Sequence, residues 1–450
     1  MNYVNGAEKP CSRGLINIMK WLQAYLLLTI FLCFFGPIEW KIKNPILVVV
    51  LLLSYQLALW LGYKSGVGIH YKRVDRVPAI SASPRNVRFV SRIIKVGLMA
   101  DVLMVVRMAN TPDPVDIVRK MINGLLSPAT RYASYYAEAT AGNLLGGGMF
   151  SFLVTIISPS AIAGIILGVF FYRELNRSTK SLLWVLIILH IAMKLISAAN
   201  EGVFDTAIYV IVPAFLRYQN NVACSPEKQR NKWRKRKKWI VLVSLLLIVV
   251  VLAFFTSNIT GRTKANYAFG TLGENKYRPD AGILNYIPDE LEVTLVYLSA
   301  YLCQGYYGFS LATMVQWVPM FGMGFSPFVQ NNVSSLIGVQ LIRNTYQVRI
   351  TEIADWGALR NYHTAYTFWA NDVSLIGVIV VMFILGRMFA RYYSKSVYGC
   401  SKDAIVLMPL LVTQILYLPA NNKIFAQPAS FLIVLSLLLH DLLTKKLKRA

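Results

Sequence analysis

The polar segment 343–372 gathers Arg343, Arg349, Glu352, Asp355, Trp356, Arg360, His363, Thr364, Tyr366, Trp369, Asn371 and Asp372. Arginine forks bind phosphate oxygens bidentately, and a carboxylate or histidine takes a proton from a hydroxyl. Trp356, Tyr366 and Trp369 offer flat apolar faces of the kind on which sugar rings stack. The mixture suits a glycan carried on a phosphate. The same residues also fit a plain solvated loop flanked by the Trp and Tyr belts of a membrane boundary. His363 tilts the balance towards chemistry, as one of four histidines and the only one on the outer side in the topology given below.

Two other polar segments, 109–148 and 256–290, are long for connections in a compact fold. The first carries Asp113, Asp116, Arg119, Lys120, Arg131, Glu138 and the run Gly142-Asn143-Leu144-Leu145-Gly146-Gly147-Gly148. That run lacks the lysine and the strand-to-helix frame of a nucleotide loop, and reads better as a flexible entry into the next apolar span. The second carries Arg262, Lys264, Lys276, Arg278, Asp280 and Glu290.

The elements that hold these segments must be membrane helices. The chain is 56% hydrophobic and 15% charged, with a mean hydropathy of +0.50, too apolar for a soluble globule. Its apolar runs are near the length of a bilayer-crossing helix and lack period-two alternation, which excludes a barrel. The fold class expected is all-α, a polytopic integral membrane protein forming one membrane domain over 1–450. About a dozen spans are expected, at 19–36, 45–63, 89–108, 149–172, 181–199, 203–217, 239–256, 291–306, 307–342 (broken), 372–391, 403–419 and 425–441. The interruptions at Gln304-Gly305-Tyr306-Tyr307-Gly308, Pro319, Gly322, Gly324 and Pro327 leave 307–342 as two short helices or a re-entrant hairpin.

Most of the 46 Lys and Arg fall in the segments 1–20, 64–92, 172–180, 217–238, 387–402 and 441–450. The positive-inside rule places those segments and both termini in the cytoplasm. The formal charge of +25 therefore reads as a topology signal and not as nucleic-acid binding. The run Lys232, Arg234, Lys235, Arg236, Lys237, Lys238 sits where a contact with anionic membrane lipid would sit. Cys11, Cys224 and Cys400 fall on the cytoplasmic side and Cys33 and Cys303 in apolar helices, so no outer-face disulfide and no metal-ligand spacing is expected. The stretch Trp21 to Phe35 lacks the small-residue cleavage site of a signal peptide and reads as the first span. Within the spans, Lys95, Asp101 and Lys194 are expected to face the interior as an ion pair, with substrate contact as the alternative. Arg92 and Arg107 are expected to reach opposite interfaces, and His190 stands one turn from Lys194.

The aromatic, glycine-punctuated stretch Tyr297-Leu298-Ser299-Ala300-Tyr301-Leu302-Cys303-Gln304-Gly305-Tyr306-Tyr307-Gly308-Phe309-Ser310-Leu311 is followed by Phe321-Gly322-Met323-Gly324-Phe325-Ser326. Together with His363-Thr364-Ala365-Tyr366-Thr367-Phe368-Trp369-Ala370-Asn371-Asp372, it resembles the bacterial O-antigen and capsular repeat-unit polymerases of the Wzy type. The resemblance implies a bacterial inner-membrane enzyme with long periplasmic loops, joining polyprenyl-pyrophosphate-linked oligosaccharide units without a metal or other cofactor. It also implies a separate chain-length regulator protein as a partner. On that reading Arg343, Arg349 and Arg360 hold the pyrophosphate, helped by Arg131, Arg262 or Arg278, and the base is His363, Asp355 or Glu352, in that order. Two alternatives are an O-antigen ligase and a transporter that flips lipid-linked oligosaccharide. Three long outer loops and the lack of an internal repeat speak against the transporter, and the intramembrane charges speak for it.

Overall fold

A helix that is apolar on every side can bury only one face against its neighbours and must turn the rest to lipid. The computed structural model of the chain describes residues 18–71, 84–140, 148–198, 200–224, scattered positions between 242 and 256, 273–358, 361–399 and 401–447. Helix α1 (Ile18–Phe35) buries Met19, Leu22, Leu26, Ile30 and Cys33, while Trp21, Leu27, Leu28, Phe31 and Phe35 stay exposed. Helix α2 (Pro45–Tyr71) likewise exposes Ile46, Val50, Leu53, Leu57 and Leu61.

The chain continues through α3 (Pro84–Ala109), α4 (Pro114–Leu126), α5 (Pro128–Thr140), α6 (Gly148–Ile157), α7 (Pro159–Phe170), α8 (Arg177–Ile196) and α9 (Asn200–Cys224). After the weakly described stretch come α10 (Asp289–Ala312), α11 (Pro327–Ile337), α12 (Tyr346–Ala354), α13 (Ala365–Val397), α14 (Lys402–Tyr417), α15 (Lys423–Ala426) and α16 (Pro428–Leu447). Two-residue strands β1 (Ile38–Glu39) and β2 (Lys276–Tyr277) form an antiparallel ribbon. One buried apolar core runs from Met19 to Val434.

The expected all-α class is the one observed. Among the described residues, five stretches are long and apolar enough to cross a membrane: Ile18–Phe35, Pro45–Val67, Gly148–Phe170, Arg177–Ile196 and Ala365–Val397, with Pro428–Thr444 a shorter apolar helix. Twelve were expected, and the difference has physical causes. Helix α3 carries Arg92, Lys95, Asp101 and Arg107; α9 carries Asp205, Pro213 and Arg217; α14 is 16 residues long. Most of 239–256 lies outside the described residues, as do the basic run 232–238 and the glycine run 142–147.

Neither of the expected spans 291–306 and 307–342 is among those five stretches. Near the start of α10, Glu292 accepts a hydrogen bond from the Tyr277 hydroxyl (2.5 Å), and near its end Ser310 Oγ accepts from the Lys43 backbone N–H (3.2 Å). Both partners belong to the turn between α1 and α2 or the ribbon strand bound to it, while between them Cys303 Sγ donates to Thr29 O (3.5 Å) and the Tyr306 hydroxyl bonds Thr29 Oγ1 (2.9 Å), so the middle of α10 packs against the side of α1. Residues 317–326 are held by the first turns of α13. Asn371 O accepts from Met320 N (3.1 Å) and Trp317 Nε1 (3.3 Å), and Asp372 Oδ1 accepts from Gly322 N (2.7 Å) and Gly324 N (2.9 Å). Just beyond, α13 breaks at Ser374, whose φ of 67° is non-helical.

Candidate functional site

The ribbon fixes the geometry of the turn after α1. Ile38 pairs with Tyr277 and Glu39 with Lys276, so Arg278 comes to rest over the last carbonyls of α1. Its backbone N–H donates to Pro37 O (2.8 Å) and its Nη2 to Gly36 O (2.9 Å). A cation there also faces the negative end of the helix dipole. Lys41 N donates to Asn275 Oδ1 (2.7 Å), closing the turn.

A cavity of about 260 Å³ lies in this turn, lined by Cys33, Phe34, Glu39, Trp40, Lys41, Ile42, Pro45 and Arg278. Of its lining residues, Trp40 and Arg278 each also hold a nitrogen, Nε1 and Nε, that is buried behind the cavity wall without a hydrogen-bond partner among the described residues. Cations in a cavity wall favour an anion, whose oxygens accept from them. Glu39 forms an ion pair with Lys41, and that hydrogen bond and charge hold its carboxyl below the usual range. Next to it, Lys43 pairs with Glu274 (2.6 Å), which also accepts from the Tyr307 hydroxyl (2.8 Å). Those two hydrogen bonds lower the Glu274 carboxyl in turn.

A row of rings leads inward from the cavity wall. Trp40 stacks near Tyr307 (centroids 6.2 Å), and Tyr307 meets Trp356 edge-on (4.7 Å). Behind Trp356 lies His363, 3% exposed. Gly308 makes this possible: a Cβ there would stand 2.8 Å from Trp356 Nε1 and 3.3 Å from His363 Nδ1. Neither His363 nitrogen has a hydrogen bond of good geometry, the Gly357 backbone giving only a weak counterweight, and burial pushes the ring down to about 4.

That shift makes stability depend on pH. Between about 6.5 and 4 the unfolded chain binds a proton at His363 that the folded chain does not, so stability is whole above 6.5 and falls as pH drops through this window. The full difference is about 3 kcal/mol. The His363→Gln variant should lose this part of the fall in melting midpoint between pH 7 and 4.5; equal slopes in both proteins would show that the ring is protonated in the fold.

Among the described residues, several of those expected to act together are engaged elsewhere in the fold. Trp356, Tyr366 and Trp369 are buried core side chains, with no face open for sugar stacking in this structure. Tyr366 packs against Tyr55 and Phe309, and its hydroxyl accepts from Gln56 Nε2 (2.9 Å). Arg131 is also spent on the protein: Nε donates to Ile196 O (2.7 Å), Nη1 to Ser134 Oγ (3.1 Å), and Glu138 pairs with it at 3.6 Å. Arg349 Nη1 donates to Gln316 O (2.6 Å), tying α12 to the 313–326 segment. Arg343, Glu352 and Asp355 are on the surface, and Asp355 caps α12 in a left-handed conformation (φ 48°). Arg262 and Arg360 lie outside the described residues. Asn371 is a structural hub, its Oδ1 accepting from Tyr346 N (2.9 Å) and its Nδ2 donating to Gly324 O (3.0 Å) and Gln347 Oε1 (3.1 Å).

A second group of charges is largely internal, with Glu201 at its open edge. Lys423, 4% exposed, bridges Glu201 (2.8 Å) and Asp205 (3.2 Å), and its ammonium lies 5.4 Å from the Tyr417 ring centroid. The Lys194 stem packs on Gly202 beside them. Asp101 pairs with His190 (2.9 Å), where a lysine partner was expected. The sequence signal for this cluster is Glu201 and Asp205 one helical turn apart at the start of an apolar helix, with Lys423 between two apolar runs.

Among the described residues no three His, Cys, Asp or Glu side chains gather as a metal site. The site that geometry singles out is the cavity of Glu39, Trp40, Lys41 and Arg278, in which only Arg278 was foreseen. Comparison with protein-family models, curated proteins and solved structures finds no match for this chain.

Proposed function

We propose that the chain is a membrane glycosyltransferase that polymerises polyprenyl-pyrophosphate-linked oligosaccharide units into O-antigen or capsular polysaccharide. One observation carries the reading: the cations Lys41 and Arg278 and the Trp40 indole line one cavity with the Glu39 carboxylate. Arg278, Lys41 and Trp40 would bind the donor's pyrophosphate. The acceptor hydroxyl oxygen bonds to the donor's anomeric carbon as the bond from that carbon to the phosphate oxygen breaks. The departing pyrophosphate keeps the electron pair, and Glu39 takes the hydroxyl proton. Fixed donors aimed at the developing charge are the main source of acceleration in such a step.

Further support comes from the two sequence features behind the family resemblance, which meet in space. Gly308 abuts His363, and Gly322 and Gly324 donate to Asp372. On this reading the chain makes about ten crossings, with 291–342 towards the outer side and both termini in the cytoplasm of a bacterial inner membrane. A chain-length regulator would be a separate partner.

In a strain lacking the gene, restored wild type should return the ladder of chain lengths and Arg278→Ala should leave single repeat units. Loss of one such donor lowers turnover by about 10²–10³-fold. A normal ladder from Arg278→Ala, at wild-type protein level in the membrane, would overturn the assignment.

The buried charges favour a second reading, a transporter of lipid-linked oligosaccharide. Asp101, His190, Lys194, Asp205, Glu201 and Lys423 place titratable groups along facing helices, as ion-coupled carriers do. Absence of even single repeat units on the outer surface of the deletion strain would select it.

A further inference from the structure

At the start of α3 a second cavity of about 260 Å³ is lined by Val87, Arg88, Ser91, Arg92, Lys95, Asn176 and Thr179. Arg88, Arg92 and Lys95 are spaced four and three apart, so they share one helix face over about 10 Å. Among the described residues no carboxylate lies within ion-pair distance of any of them, and the nearby Glu174 is taken by Arg217 (2.5 Å). Three cations converging on one concave site without an anion leave it strongly positive. Ser91 Oγ and Thr179 Oγ1, 3.2 Å apart at its wall, add hydroxyl donors.

The same face changes character along the axis. Continuing at four and three residues, it presents Met99 (53% exposed) and Val102 (43% exposed). Phe89 and Val96, exposed beside the basic residues, widen the apolar strip. A cationic cavity followed along one helix by an exposed apolar strip matches a molecule with an anionic phosphate head and hydrocarbon chains. A free inorganic anion would have no use for the strip.

We propose that this cavity binds the phosphate headgroup of an anionic phospholipid, with its acyl chains lying along Met99 and Val102. Arginine forks hold the phosphate oxygens and Lys95 adds a point charge. The site is on a different helix pair from the Arg278 cavity and does not depend on the function proposed there.

The test is a thermal melt of the purified full-length chain in neutral detergent, titrated with phosphatidylglycerol, phosphatidylcholine or inorganic phosphate. Phosphatidylglycerol should raise the melting midpoint saturably, and phosphatidylcholine should not. Arg88→Gln/Arg92→Gln/Lys95→Gln should raise the half-saturating concentration at least about tenfold. Arg92→Gln alone should show a smaller rise in the same direction and serves if the triple variant fails to fold. Arg119→Gln, which removes an exposed charge on α4, should match wild type. Equal responses of wild type and Arg92→Gln, or equal responses to the two lipids, would overturn the site. An equal shift from inorganic phosphate at the same concentration would overturn the lipid as its occupant.

Discussion

Replacing Lys423 with Met should cost the folded chain about 3–5 kcal/mol, the range seen when one partner is removed from a buried ion pair. The methionine keeps the length and volume of the lysine stem, so packing changes little and the loss is electrostatic. Asp205 is 7% exposed and its Oδ1 already lacks a hydrogen bond, so without the Nζ at 3.2 Å its charge loses its ion-pair partner and keeps only the weaker influence of Lys194. Glu201 is more open to solvent and suffers less. The measurement is the fraction of monodisperse protein after heating in detergent. Adding Asp205→Asn to Lys423→Met should recover a large part of the loss, because it removes the stranded charge. If the single variant melts like wild type, Lys194 or water has taken over the neutralising role.

The second large effect is expected at the joint between α2 and α13. A Cβ on Gly62 would stand 2.0 Å from Phe383 O, and one on Gly386 would stand 2.1 Å from Leu59 O. A Cβ on Gly66 would meet Ala390 Cβ at 2.7 Å. The pairs 62/66 and 386/390 are each four apart, so two small-residue stripes face one another and let the backbones touch. This is the way helices gain contact in lipid, where no hydrophobic effect drives them together. Gly62→Val or Gly386→Val must push the helices apart along the whole joint, at a cost of about 3 kcal/mol or more. Either variant should give little monodisperse protein on extraction. Gly148→Ala, where nothing lies within 4 Å of the added carbon, should extract like wild type.

Both sites were hard to see in the sequence for related reasons. Gly62 and Gly386 sit within apolar runs whose hydropathy marks a span and says nothing of which face meets which helix. Lys423 had no visible partner because Glu201 is over two hundred residues away. The third polar segment misled in the opposite sense. Its dense mixture of Arg, acid, His and Trp resembles a catalytic loop, yet Trp356, Tyr366 and Trp369 fill the core and Asn371 and Asp372 tie loops to α13. Composition cannot separate a residue that faces substrate from one that satisfies buried backbone. Arg278 is recognisable in the sequence as a cation of a polar segment, whereas Glu39 and Lys41 stand next to an apolar run with nothing local to pair them with it.

The sequence by itself determined that this is a helical membrane protein, because long apolar runs in lipid leave the backbone no partner but its own helix. It also marked which segments are polar enough to leave the hydrocarbon. Only the tertiary structure decided how 291–342 packs, since apolar residues in a helix do not say which neighbour they meet. The contacts of Glu292 and Ser310 with one turn, and of Cys303 and Tyr306 with Thr29, set α10 against α1. The cavity was decided at the same level. Glu39, Lys41 and Arg278 are brought together by a ribbon of two residue pairs, a long-range hydrogen-bonded register that no local pattern encodes.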